Sequence, residues 1–169
     1  MPDDKNFAFC CRRTDVSVNM ADDENVHIVN RPIGSGGFFW SPHDITIFAK
    51  TLRDNSEFFC NKELFRIATS NLTPDFTESY GLGFCILDEK YEYKSDLFSE
   101  KTFGHHGSAG SGLFVDKERD FFLIYLTNFR RYANILYEKE PYDFGAIAFD
   151  FRSGIPNAVK RDLEEQNLL

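Results

Sequence analysis

The sequence has no long apolar run. Nothing in it approaches the roughly 18–20 consecutive apolar residues of a membrane-spanning helix, so no membrane span is expected. The opening, MPDDKNFAFCCRR, lacks the basic-then-apolar pattern of a secretory signal, and a cytoplasmic location is the expectation. A basic excess is missing too. Acidic residues number 27 against 19 Lys and Arg, a formal net charge of −8, which argues against a nucleic-acid or anionic-membrane surface. Cysteine is scarce. Cys10, Cys11, Cys60 and Cys85 fit neither a zinc ribbon nor a small disulfide scaffold, and read as reduced, mostly buried thiols.

Metal and phosphate signatures are also absent. Asp22, Asp23, Glu24 and His27 cluster, but without the alternating acids, central Gly and final Glu of a calcium loop, so they read as a solvated turn. Gly34-Ser35-Gly36-Gly37 lacks the following Gly-Lys-Ser/Thr of a phosphate loop. No metal and no cofactor is expected.

What is present suffices for a core. Hydrophobic residues make up 42% and Phe alone numbers 19, and 169 residues suit one domain. Residues 1–22 read as an irregular polar approach, and the whole stretch to residue 30 shows no amphipathic period. Ser41-Pro42-His43-Asp44 reads as a helix start: Ser41 caps, Pro42 suits the first helical position, and Asp44 favours the positive end. Ile45, Phe48, Ala49 and Leu52 then share the core-facing side, and Asp54-Asn55 ends the helix. Asn61 to Ala68 predicts a short helix. Ser70 to Glu78 is a loop broken by Pro74, whose Asn71-Leu72-Thr73 is not expected to be glycosylated. Tyr80 to Leu87 reads as a strand and Tyr91 to Glu100 as a loop or hairpin tip. Pro141 and Gly145 interrupt any long helix, and a C-terminal helix is expected to begin near Pro156 and run to about Gln166.

The most informative stretch is Thr102 to Asn128, TFGHHGSAGSGLFVDKERDFFLIYLTN. Two apolar runs joined by DKERD predict an antiparallel hairpin. Phe121 to Leu126 has no polar alternation, so both its faces are expected to be covered. Gly104, Gly107, Gly110 and Gly112 allow close approach of backbone or ligand beside His105 and His106. The fold class expected is α+β, an antiparallel sheet with helices packed on it. Taken by itself, His105 reads as an imidazole bonded to a loop carbonyl. Adjacent histidines on a strand point to opposite faces, so both do not serve one metal. Cys85, on a strand that could neighbour His105, reads as a buried inert thiol and not as half of a Cys–His pair.

This stretch resembles the third motif region of the serine beta-lactamase and penicillin-binding-protein family, closest to its class C and esterase-like branch. The likeness lies in Gly104-His105-His106-Gly107, then Gly110, Leu113 to Asp116, and Leu126-Thr127-Asn128. It continues in Gly36-Gly37-Phe38-Phe39 leading into the Asp44-Ile45 helix, and in Tyr80-Gly81-Leu82-Gly83-Phe84, with Phe84 where the family has Trp. It spans roughly Asp23 to Leu163 and covers the C-terminal half of a family domain.

The resemblance implies a serine hydrolase acting on ester, beta-lactam or D-peptide substrates through an acyl-enzyme. A Ser in Ser-x-x-Lys attacks the carbonyl, and the Lys and a Tyr of Tyr-x-Asn move the proton. It places His105 at the family's Lys or His position, with His106 the variable middle residue. Gly104, Gly107 and Gly110 become substrate-side backbone, and the Ser108 N–H an oxyanion donor. No Ser in the chain has Lys three residues later. Tyr132-Ala133-Asn134 follows the third motif instead of preceding it, and Ser17-Val18-Asn19 lies too near the Gly-rich stretch. The expectation is a hydrolase-family chain without its nucleophile, inactive by itself. The alternative is a non-catalytic descendant that binds a ligand or partner through the His105–Gly112 edge. The partners implied are a small-molecule or peptide substrate, and an N-terminal half or a second copy pairing along the Phe121–Leu126 edge.

Overall fold

The structure is a computed structural model that describes residues 24–31, 33, 34, 36–54, 61–93, 95–107, 110–127 and 144–169, with Glu24 and residues 144–151 as backbone only. In chain order the elements are α1 (Glu24–Val29), α2 (Pro42–Asp54), α3 (Lys62–Ala68), β1 (Cys85–Ile86), β2 (Phe103–His106), β3 (Gly112–Asp116), β4 (Phe121–Tyr125) and α4 (Phe144–Glu165). The strands form one antiparallel sheet in the order β1-β2-β3-β4. The architecture is α+β, as the sequence predicts.

Helix starts follow the local chemistry. The Ser41 hydroxyl accepts the Asp44 N–H at 3.1 Å and donates to the Asp44 carboxylate at 2.6 Å, which caps α2. Asn61 does the same for α3, its side-chain oxygen accepting the Leu64 N–H at 2.7 Å. α1 forms within the stretch to residue 30, in which the sequence shows no amphipathic period. It ends at Asn30, which takes the left-handed conformation (φ 51°) while its N–H donates to the Val26 carbonyl.

Register decides what each sheet face carries. Phe103, His105, Leu113, Val115 and Phe122 share one face; Gly104, His106, Gly112, Phe114, Leu123 and Tyr125 share the other. The first face is covered by Leu52 of α2 and Phe65 of α3, with Phe48 and Phe84 alongside. On the second face Phe114 and Tyr125 pack with Cys85 and Leu87, joined by Tyr91, Phe98 and Ile155 of α4. β1 and β4 are the edge strands among the described residues, and Leu126 beyond β4 is 48% exposed. In β4, Phe121 to Ile124 are half-buried, so the full cover expected from their apolar run is not met.

Two other expectations are corrected. Tyr80 to Leu87 is a strand only at Cys85 and Ile86. Before that the chain turns: the Gly81 N–H donates to the Phe84 carbonyl at 2.9 Å and Gly83 has φ 80°. The turn serves α3. The Leu82 N–H satisfies the last carbonyl of that helix, Ala68, at 2.9 Å, and a Cβ on Gly81 would lie 1.9 Å from the same oxygen. Second, α4 starts at Phe144 and runs through Pro156 instead of starting there. Proline removes one intrahelical bond, yet Pro156 is fully buried and Ile155 packs on the sheet, so tertiary burial overrides the local preference. The Asn71 amide donates to Ser79 at 2.8 Å and its oxygen accepts the Thr73 N–H, so the sequon amide is spent on closing its own loop.

The hairpin turn hangs on Asp116, which is 0% exposed. Its carboxylate accepts the Ser99 N–H (2.6 Å), the Ser99 hydroxyl (2.9 Å) and the N–H groups of Glu118 and Arg119 (3.0 Å each). Arg119 in turn donates to the carbonyls of Asp96 and Leu97. Burial opposes ionisation of Asp116, but those donors outweigh it and hold the carboxyl below the usual range. One carboxylate thus joins the β3–β4 turn to the 95–99 loop. Replacing Asp116 by Ala orphans the two buried donors of Ser99, releases the turn N–H groups, and is expected to cost about 3 kcal/mol, measured as a lower urea midpoint; a loss under about 0.5 kcal/mol would refute the role.

Candidate functional site

The β2 strand presents its two histidines to different environments. His105 is exposed on the face covered further along by α2 and α3. Its Nδ1 lies 2.7 Å from the His106 carbonyl oxygen. A carbonyl only accepts, so Nδ1 carries the hydrogen, and in the neutral ring the lone pair stands on Nε2. The Tyr80 ring lies beside it at 6.2 Å between centroids. The ring is thus bonded to a backbone carbonyl and is also exposed.

His106 faces the other way and is half-buried. Its Nδ1 is 2.7 Å from the Tyr91 hydroxyl and its Nε2 2.7 Å from the Tyr125 hydroxyl. A neutral imidazole has one N–H and one lone pair, so one tyrosine donates to the ring and the other accepts from it. Phe114 packs edge-on against the ring at 4.7 Å, and Tyr93 at 5.7 Å. Burial, with the nearby positive charge of Arg152 and then His105, pushes the His106 pKa down to about 3. Arg152 of α4 itself stacks on Tyr93, 4.8 Å from the ring centroid. Burial raises both Tyr91 and Tyr125, so their hydroxyls stay protonated.

His106, expected at the variable middle position, is thus bonded at both ring nitrogens. Sequence reading missed Tyr91, Tyr125 and Arg152. One signal was available: Tyr125 closes the FFLIY run while Gly112 opens the facing strand, a large residue opposite none.

The glycines divide by physical need. A Cβ on Gly104 would lie 2.1 Å from the Leu113 carbonyl and 2.6 Å from the Phe114 ring, and one on Gly112 would lie 2.3 Å from the Tyr125 ring. Gly110 has φ 87° and is buried in the β2–β3 turn. Gly107, expected to keep backbone open, has room for a Cβ, and its N–H donates to the Ser111 carbonyl at 2.7 Å. Ser108, the expected oxyanion donor, lies outside the described residues, as do Ser17 to Asn19, Tyr132 to Asn134, Cys10, Cys11 and Cys60.

Cys85 pairs with Gly104 in the sheet, and its thiol donates to the Gly104 carbonyl at 3.0 Å, on the face opposite His105. Burial pushes the thiol up to about 12. A Cys85–His105 nucleophile pair is excluded by both orientation and ionisation.

Neither a family model nor a curated protein sequence matches this chain. A solved structure does: a beta-lactamase from Mycobacterium bovis, 26% identical, with a TM-score of 0.54 over 71% of this chain and 43% of that one. The fold is beta-lactamase-like. The chain spans less than half the length of the solved structure it matches. Among the described residues no helix is long and apolar enough to cross a membrane.

Two outcomes follow from the burial of His106 and Cys85. An imidazole held near 3 in the fold against 6.5 when free binds a proton on unfolding anywhere between those values. Its contribution to stability is full above about 6.5 and falls as pH drops toward 3. Chemical denaturation between pH 6.5 and 4.5 should show this loss, and His106→Gln should flatten the slope; an unchanged slope would sink the assignment. In brief alkylation at pH 7.5, mapped by mass, Cys85 should react at least ~100-fold more slowly in the native protein than in urea.

Proposed function

We propose that this chain carries the histidine edge of a beta-lactamase-related serine hydrolase that cleaves ester, beta-lactam or D-peptide bonds through an acyl-enzyme. The observation that carries the reading is His105: an exposed imidazole whose Nε2 has no partner among the described residues, in a beta-lactamase-like fold, at the residue where the motif resemblance sets the family's Lys or His. In this reading the Nε2 lone pair faces the reacting centre, where it accepts a hydrogen bond or a proton during acyl transfer. The stretch 104–110 contributes substrate-side backbone, and the Ser108 N–H donates to the oxyanion. The region corresponds to the C-terminal half of such a domain.

No Ser in the 169 residues has the Lys that would activate it. The nucleophile is therefore assigned to polypeptide outside them, either the same product upstream or a separate partner meeting the β4 edge. A second reading takes the same absence at face value: a non-catalytic descendant that binds its ligand or partner along the His105–Gly112 edge.

The test is covalent labelling with a fluorescent penicillin and a fluorophosphonate, read by denaturing gel and intact mass. The purified 169-residue chain is expected to give no adduct. A complex captured with this chain from its own cells is expected to label at a serine outside it, and His105→Gln should cut that turnover by about 10²-fold or more. An adduct on a serine of this chain would overturn the placement of the nucleophile. Absence of label from every species containing the chain would favour the binding module.

A further inference from the structure

The two histidines are neighbours with opposite fates, and the backbone between them couples one to the other. The His105 Nδ1–H is held by the His106 carbonyl at 2.7 Å. That carbonyl belongs to a strand residue whose backbone is set by the β2–β3 register and whose side chain is anchored besides. Its side chain is fixed at both ring nitrogens, by the Tyr91 hydroxyl at 2.7 Å and the Tyr125 hydroxyl at 2.7 Å. Tyr91 comes from the loop ahead of β2, while Tyr125 stands two strands away on β4. In the sheet register His106 faces Gly112, and Gly112 faces Tyr125. Tyr125 can reach across the middle strand because that strand has no side chain at this point. A Cβ on Gly112 would sit 2.3 Å from Tyr125 Cζ and 2.5 Å from its hydroxyl oxygen.

We propose that Tyr91, Gly112 and Tyr125 are positioning residues for His105, acting through the His106 ring and carbonyl to hold His105 as the Nδ1–H tautomer. An unconstrained histidine side chain favours the proton on Nε2. The tautomer is set by the bond the other nitrogen makes, so the anchored carbonyl reverses that preference and keeps the Nε2 lone pair available. The inference rests on reading His105 as the imidazole of the site, but its readout does not require turnover. The clamp has no need of a charge: His106 works as a neutral ring between two neutral phenols. Arg152 from α4, His105 on the same strand and Tyr93 from the 91–99 loop complete its surroundings.

The experiment is a two-bond proton–nitrogen correlation on the 15N-labelled 169-residue chain at pH 8, where the two tautomers give distinct ring patterns. His105→Gln identifies the signals. In the wild type, His105 is expected chiefly as Nδ1–H. Tyr125→Phe and Tyr91→Phe each keep the ring packing and remove one anchor. Each should move the tautomer ratio toward Nε2–H by about fivefold, the worth of one net hydrogen bond, and the double variant further. Gly112→Ala, which displaces Tyr125, should move it the same way.

A wild-type His105 already in the Nε2–H form would overturn the proposal. So would tyrosine variants whose ratio stays within about twofold of wild type, even with a lowered Tm, since that outcome would make the clamp a stabilising contact only. If the double variant does not fold, the single variants decide. Failure of the hydrolase reading would appear in the labelling experiment, and failure of the positioning role appears here.

Discussion

Two strand positions without side chains decide how this sheet is filled. Gly104 and Gly112 lie diagonally on facing strands, and the space above them is taken by the rings of Phe114 and Tyr125. Any larger residue at either position would drive a Cβ into backbone or ring atoms at 2.1–2.3 Å. That constraint lets an aromatic layer pack close on the second face, and the layer surrounds His106. Once His106 is surrounded, the alternation of the strand sends His105 to the opposite face, where it stays accessible. The contrast between the two imidazoles is therefore a consequence of packing on one face.

Asp116 plays the matching part at the other end of the hairpin. Its carboxylate gathers donors from the turn after β3 and from the loop that precedes β2. That same loop delivers Tyr91 to His106 and Leu97 to the interior, where Leu97 is 0% exposed. A buried carboxylate with its acceptor sites filled is stabilising where an unpaired one would not be. The loop 91–99 is thus tied at its end by charge-assisted bonds and at its start by an aromatic hydroxyl.

Much of the fold was legible in the sequence. The helix α2 could be read from Ser41, Pro42 and Asp44, because caps are local chemistry that acts over three residues. The β3–β4 hairpin could be read from two apolar runs around DKERD, and Asn61 marks α3 by the same capping logic. The segment 80–84 was misread because apolar residues between glycines look alike in a strand and in a turn; what decides is the Ala68 carbonyl, a tertiary partner. Pro156 misled for the converse reason, since burial on the sheet overrides its local preference. At the site, the strand position of His105 was legible through its flanking motif, and its role stays with the proposed function. The weight of His106 was not, because the parity of a strand is set by its pairing register and by Tyr91 and Tyr125, which are distant in sequence. Ser108 lies outside the described residues, so its expected part stays with the proposed function.

The sheet is a meander: every neighbour in space is also the next strand in sequence. A four-residue turn joins β3 to β4, and the β2–β3 connection closes with the Gly107–Ser111 pair. Such short closures cost little chain entropy, and folds rich in sequence-local contacts assemble quickly. The histidine edge is therefore built from pairings close in sequence. Its hydrogen-bonded geometry is written into one contiguous stretch of some forty residues, Cys85 to Tyr125, to which α4 adds Arg152 over Tyr93.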